Sequence, residues 1–275
     1  MQSTIAQAIK LATEPVAVVW SDDKPDGAVE FKPGRFGCVV SLFATAATKG
    51  RPGVFSRETF GCWGGGVGLG FGNRYEDFPG GVAGFCYFLS EGNAKTERGR
   101  AIGEQMKQDP GGARLVGTYL HGERYVKDAR LTRDFVAELP MMEIPTTYVV
   151  VKPLSQTDDN DDIQNISFFV DPDRLSALVI LANYARKGLD NVIMTYAAGC
   201  QVMGILAYRE LQRDDPRALV GMTDISARRN VRASLGRDIM SFTAPLPLYR
   251  EMEAQVRGSF LEDHVWMELL AEDRS

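Results

Sequence analysis

Two stretches of the chain follow one pattern at a constant offset of 138 residues, the offset from Cys62 to Cys200. The first is CVVSLFATAATKGRPGVFSRETFGCWGGG, Cys38 to Gly66. The second is SALVILANYARKGLDNVIMTYAAGCQVMG, Ser176 to Gly204. Lys49-Gly50 falls on Lys187-Gly188, Gly61-Cys62 on Gly199-Cys200, and Gly66 on Gly204. An internal repeat constrains a fold strongly, because both copies must tolerate the same local structure.

Each copy predicts the same elements. An apolar helix runs to the Lys-Gly, where the cation suits the negative helix end and glycine supplies a left-handed cap. A short apolar strand follows, near Val54–Phe55 or Asn191–Tyr196, and Gly-Cys closes it. A strand precedes each helix: PVAVVW (Pro15–Trp20) and NISFFV (Asn165–Val170). Asp171-Pro172 gives the second helix an N-cap and a first-turn proline. Each copy therefore reads as a β-α-β unit with a right-handed crossover.

The region between the copies differs. Asn93–Gln108 and Ala113–Leu139 read as charged helices separated by Pro110-Gly111-Gly112, and Thr146–Leu154 is a strong strand. Ala218–Ile225 and Met240–Leu246 read as strands flanking a basic helix, Ser226–Arg237, and the tail from Leu248 to Ala271 is helical with a break near Gly258. The fold class is α/β: two related β-α-β halves, residues 15–72 and 165–210, forming one mixed-sheet globular unit over 1–275 with a helical insertion at 93–140.

Net charge of −5 argues against a general nucleic-acid binder, which needs a basic face to neutralise phosphates. No apolar run approaches the roughly 18 residues that cross a bilayer, and the N-terminus lacks the pattern of a signal peptide. Both point to a cytoplasmic protein. The acidic run QTDDNDD lacks the ligand spacing of a calcium loop.

Four cysteines in 275 residues are too sparse for a disulfide scaffold. With no CxxC pair, and neither His121 nor His264 close to a cysteine in sequence, zinc-finger and thioredoxin signals are absent. Cys38 opens the first helix, whose N-terminus favours a thiolate. Cys62 and Cys200 each follow a strand, and a pseudo-twofold between the copies would bring them to one cleft. Cys86, among aromatics in GFCYFLS, is a candidate fourth ligand that reads better as a buried apolar side chain.

Gly61–Asn73, GCWGGGVGLGFGN, contains GxGxxG letters. A dinucleotide fingerprint also requires a following helix and an acidic residue about twenty positions on. Here the glycines do not lead into a normal helix-forming sequence, and no GK[ST] follows. Gly64, Gly65 and Gly66 let backbone N–H groups approach an anionic centre, either cluster sulfides or a phosphate. On the basic helix, Arg228, Arg229 and Arg232, with Arg237 beyond, form a second candidate for carboxylate or phosphate binding. Surface ion pairing is the alternative use of those arginines.

GRFGCVVSLFATAATKG, ETFGCWGGGVGLGFGN, AAGCQVMG and SARRNVR resemble the uncharacterised family named domain of unknown function 169, or ArCR, of archaea and anaerobic bacteria. The resemblance extends over nearly the whole chain. Its pattern has one cysteine opening the first helix, one before a double glycine and one in the C-terminal half, which Cys38, Cys62 and Cys200 match. No activity comes with it, and its anaerobic association favours an oxygen-sensitive centre.

The expectation is therefore an iron–sulfur protein, with a cluster of the 4Fe–4S type on Cys38, Cys62 and Cys200 and Cys86 as a further candidate. It would serve electron transfer or small-ligand binding, with an anionic small molecule or a redox protein as partner and a homo-oligomer as one arrangement. The alternative is a non-redox module for a nucleotide or other anion, using the glycine loop and the arginines.

Overall fold

The computed structural model describes residues 1–108 and 112–272. Pro110 and Gly111 of the expected separator lie outside the described residues.

The chain opens with helix α1 (Thr4–Ala8) and strand β1 (Val16–Ser21). Then come α2 (Val40–Lys49), β2 (Gly53–Phe55), α3 (Trp63–Leu69) and α4 (Gly81–Leu89). The charged region supplies α5 (Glu97–Met106), α6 (Val116–His121) and α7 (Ala129–Glu138). Strands β3 (Tyr148–Pro153) and β4 (Asp162–Val170) lead to α8 (Pro172–Asn183), β5 (Val192–Met194) and a short helix, α9 (Gly199–Gln201). A π-helical segment, Val202–Leu206, joins α9 to α10 (Ala207–Leu211). Strand β6 (Ala218–Gly221), α11 (Ile225–Leu235), β7 (Met240–Pro245), α12 (Leu246–Ala254) and α13 (His264–Glu272) complete the fold.

Seven strands form one mixed sheet in the order β2-β3-β1-β4-β7-β6-β5. Every pairing is antiparallel except β5 with β6. The central strands are buried on both faces, with β1 apolar on each and β4 and β7 carrying Asn165, Ser167, Ser241 and Thr243 on one. Val16 and Val18 of β1 point to one side with α2, α3 and α4, while Ala17 and Val19 point to the other with α1, α8, α12 and α13. The sheet is covered by helices on both sides.

The expected strands all form, and the helical insertion lies where the charged region predicts it. Asp171 caps α8 by accepting from the Arg174 N–H at 2.9 Å, and Gly50 ends α2 in the left-handed conformation, φ 63°. The second Lys-Gly behaves differently. Helix α8 stops at Asn183, so the left-handed Gly188 lies in a turn beyond it.

The pseudo-twofold does not emerge. Helix α2 packs on one face of the sheet and α8 on the other. Strands β1 and β4 run antiparallel side by side, and their units progress to opposite sheet edges. A rotation relating the two units would have to keep the hand of the crossover, yet helices on opposite faces give crossovers of opposite hand. One therefore departs from the right-handed rule. Two-sided strands permit this, because alternation along β1 and β4 does not say which face the next helix covers.

The glycine-rich stretch also corrects the sequence reading, because its glycines are themselves the helix, α3. Each interior glycine costs a helix about 1 kcal/mol against alanine. Packing overrides that cost. A Cβ on Gly68 would lie 2.8 Å from the carbonyl carbon of Cys200, and one on Gly204 would collide with the Gly68 carbonyl oxygen. Helix α3 thus presses directly on the backbone of α9 and the π segment, which no side chain at these positions would allow.

Candidate functional site

The contact between α3 and α9 brings the two Gly-Cys segments together. Cys62 is the N-cap of α3, and its Sγ accepts from the Gly65 N–H at 3.2 Å. The Cys200 thiol donates to the Gly64 carbonyl oxygen at 3.3 Å. Cys38 lies two residues before α2, on the same side. All three line one cavity of about 370 Å³ that also takes in Gly64. Cys62 and Cys200 therefore meet through the crossing of α3 and α9 rather than through a symmetry of the halves.

Burial dominates the electrostatics. It pushes the Cys38 thiol up to about 12, reinforced by Cys62 and Asp224. It raises Cys62 against the opposing N–H groups of Gly65 and Val39, and raises Cys200 far above the usual thiol range, with Cys62 and Cys38 adding to the effect. The helix-N-terminus argument for a Cys38 thiolate is thus outweighed by desolvation, and the free thiols stay protonated at neutral pH.

The walls are aromatic. Ten aromatic residues line the cavity, among them Trp63, Tyr75, Phe78 and Tyr119. Trp63 stands between Phe36 and Phe78, with ring centroids 4.4 and 4.8 Å away, and Tyr75 stacks on Phe85 at 3.7 Å. Tyr75 is held in turn by Gln201, whose Nε2 donates to its hydroxyl at 2.9 Å.

The polar groups come from two segments. Asp224 caps α11 and accepts from the N–H groups of Ala227 and Gly199, both at 2.6 Å, so it ties α11 to the residue before Cys200. Ser226 donates to Glu123 at 2.7 Å and meets the Tyr125 hydroxyl at 3.1 Å. Burial raises both carboxyls. No Lys, Arg or His is among the described residues that line the cavity.

Other candidates lie elsewhere. Cys86 is buried in α4 beside Arg133 of α7, outside the cavity lining. Arg228, Arg229, Arg232 and Arg237 line a separate pocket on the outer side of α11. There Arg228 donates to the carbonyls of Met222 and Ile239, at 3.3 and 2.9 Å, and so braces a loop. Gly64 faces the cysteines, so the glycines and arginines do not form one anion site. Spacing along α11 held the signal: Ala227 and Val231 are buried at i, i+4, which turns 228, 229 and 232 outward. Sequence reasoning did not single out Asp224, Glu123, Tyr75 or Tyr196 as site residues. Asp224, three residues before a buried alanine, carried an N-cap signal, whereas the other three reach the site only through tertiary packing.

A mixed α/β core with a thiol-bearing aromatic chamber defines the class of protein. A family profile described as domain of unknown function 169, uncharacterised ArCR, matches residues 4–255, and the chain belongs to that family. No curated protein and no solved structure matches it. Among the described residues, no helix is long and apolar enough to cross a membrane. Nor, among them, is any group of three or more His, Cys, Asp or Glu gathered so as to hold a metal ion.

Proposed function

We propose that Cys38, Cys62 and Cys200 hold an iron–sulfur cluster, with the aromatic chamber beside it as the place where a small ligand or a redox partner's group is met. The observation that carries this reading is the convergence of three unpaired cysteines, from segments as far apart as residues 38 and 200, on one largely apolar cavity. Unpaired thiols also fit a reducing compartment such as the cytoplasm.

The chemistry of the donors favours ligation over nucleophilic catalysis. A catalytic cysteine needs a lowered pKa or a base beside it. These three are raised, and no histidine is among the described lining residues. Binding iron displaces the thiol protons and repays the burial of charge that the protein alone avoids. Among the described residues no three such side chains are gathered tightly enough for a single ion. A cluster is wider than one ion, so Cys38, Cys62 and Cys200 would hold it from more widely spaced positions. The Gly65 N–H already points at Cys62 Sγ, the kind of contact that tunes a cluster's potential. When bound, the cluster would supply one-electron chemistry or an iron open to a ligand.

Three thiols converge and Cys86 does not join them, so the reading assigns three protein ligands. Cys86→Ser is expected to keep the full iron and sulfide content of the parent after anaerobic reconstitution. Loss of iron from that variant, at unchanged secondary structure by circular dichroism, would contradict the assignment.

The anion-binding alternative has less support, since Gly64 and the arginines line different pockets and two carboxyls line the cysteine cavity.

A further inference from the structure

The chamber beside the cysteines has a composition that selects for charge. Its walls are largely aromatic, and aromatic rings attract cations through the negative face of their quadrupole. Its only ionisable side chains besides thiols and phenols are the carboxyls of Glu123 and Asp224, and no cation lies among the described lining residues to balance them. Asp224 is largely satisfied by two backbone N–H groups. Glu123 accepts from Ser226 alone. One polar atom of the lining is without a protein partner: the buried hydroxyl of Tyr119. Burying a phenol unpaired is costly, and such a group is kept where something else completes it, while the half-buried Glu123 carboxyl, with one hydrogen bond, can accept more.

We propose that this chamber binds an organic cation, a small amine or quaternary ammonium compound with an apolar or aromatic body. The cationic head sits among the aromatic faces within reach of Glu123, and the body fills the apolar remainder. The volume, about 370 Å³, is in the range of small-molecule sites. An anion would meet the carboxyls and the negative ring faces without compensation. A neutral apolar ligand would leave the burial of Glu123 unanswered. The inference rests on the chamber's own charge and does not require the cluster, although three thiolates nearby would deepen the preference.

Isothermal titration calorimetry on the metal-free protein at neutral pH separates these classes with three soluble probes: benzyltrimethylammonium, benzyl alcohol and benzoate. The cation is expected to bind about tenfold or more tightly than the alcohol, and benzoate most weakly. Glu123→Gln should reduce the cation's affinity by roughly fivefold and leave that of benzyl alcohol unchanged. Benzoate equal to or tighter than the cation, no heat from the cation at millimolar concentration, or a preference for the cation that survives intact in Glu123→Gln would each overturn the proposal. Iron is assayed separately after reconstitution of the same preparation. Cation binding by a protein that takes up no iron would remove the cluster and leave this inference standing, and the reverse result would do the opposite.

Discussion

Cys62→Ser and Cys200→Ser are each expected to lose at least roughly tenfold of the iron that the parent retains, while the metal-free proteins keep their stability within about 0.5 kcal/mol. Serine suits both places structurally. At position 62 it is a better helix N-cap than cysteine and can accept from the same Gly65 N–H. At position 200 its hydroxyl can donate to Gly64 as the thiol does. What serine lacks is the soft thiolate that iron in a cluster requires. The loss therefore reads ligation rather than folding. Iron and sulfide analysis after anaerobic reconstitution, with urea unfolding of the metal-free variants, checks both halves. Full iron in both variants would end the assignment, and a large loss of stability would show that the two cysteines serve packing.

Gly204→Ala is the second change with a large expected effect, and it acts through the backbone. The new methyl group would collide with the Gly68 carbonyl oxygen, at the crossing that seats Cys200 against α3. Overpacking a core costs about 1–3 kcal/mol where side chains can shift. Here the obstacle is a helix carbonyl and cannot swing aside, so destabilisation near the upper end, about 3 kcal/mol, is expected. Since small domains hold only about 5–15 kcal/mol in all, the variant should fold but unfold at visibly lower urea. Its iron content should fall as well, because α3 and α9 must separate. A urea midpoint equal to that of the parent would contradict the close backbone approach.

Both variants concern a place where sequence and structure agree for different reasons. The Gly-Cys repeat pointed to Cys62 and Cys200 as neighbours through symmetry, whereas a helix crossing through Gly68 and Gly204 joins them. Local signals were legible: the Asp171-Pro172 helix start, the Gly50 cap and the apolar strands. They depend on a few adjacent residues and on elementary sterics. The face chosen by α2 or α8 was not legible, since β1 and β4 are buried on both sides and alternation marks neither face as the one a helix must cover. Nor was helix α3, whose glycines oppose helix formation until α9 packs against them. The chamber's walls come from segments as separate as those of Phe36, Trp63, Phe85, Tyr119, Phe135 and Cys200, residues whose meeting only the tertiary fold decides. The arginines of α11 drew attention because charge clusters stand out in a sequence, while the two carboxyls that face the site are single acidic residues among the chain's 36.

The pKa directions fit the same account. A protein that holds three thiols protonated in an apolar cavity gains nothing from them as free nucleophiles. On the proposed reading, iron uptake would displace those protons, so binding and proton release would be one event.

The most direct measurement is the iron and acid-labile sulfide content of protein purified without oxygen, together with its visible absorption spectrum. The account predicts a brown protein with stoichiometric iron and sulfide and a broad thiolate-to-iron band near ~400 nm. A colourless protein that also takes up no iron or sulfide on anaerobic reconstitution would contradict it, and would leave Cys38, Cys62 and Cys200 as walls of a chamber with another use.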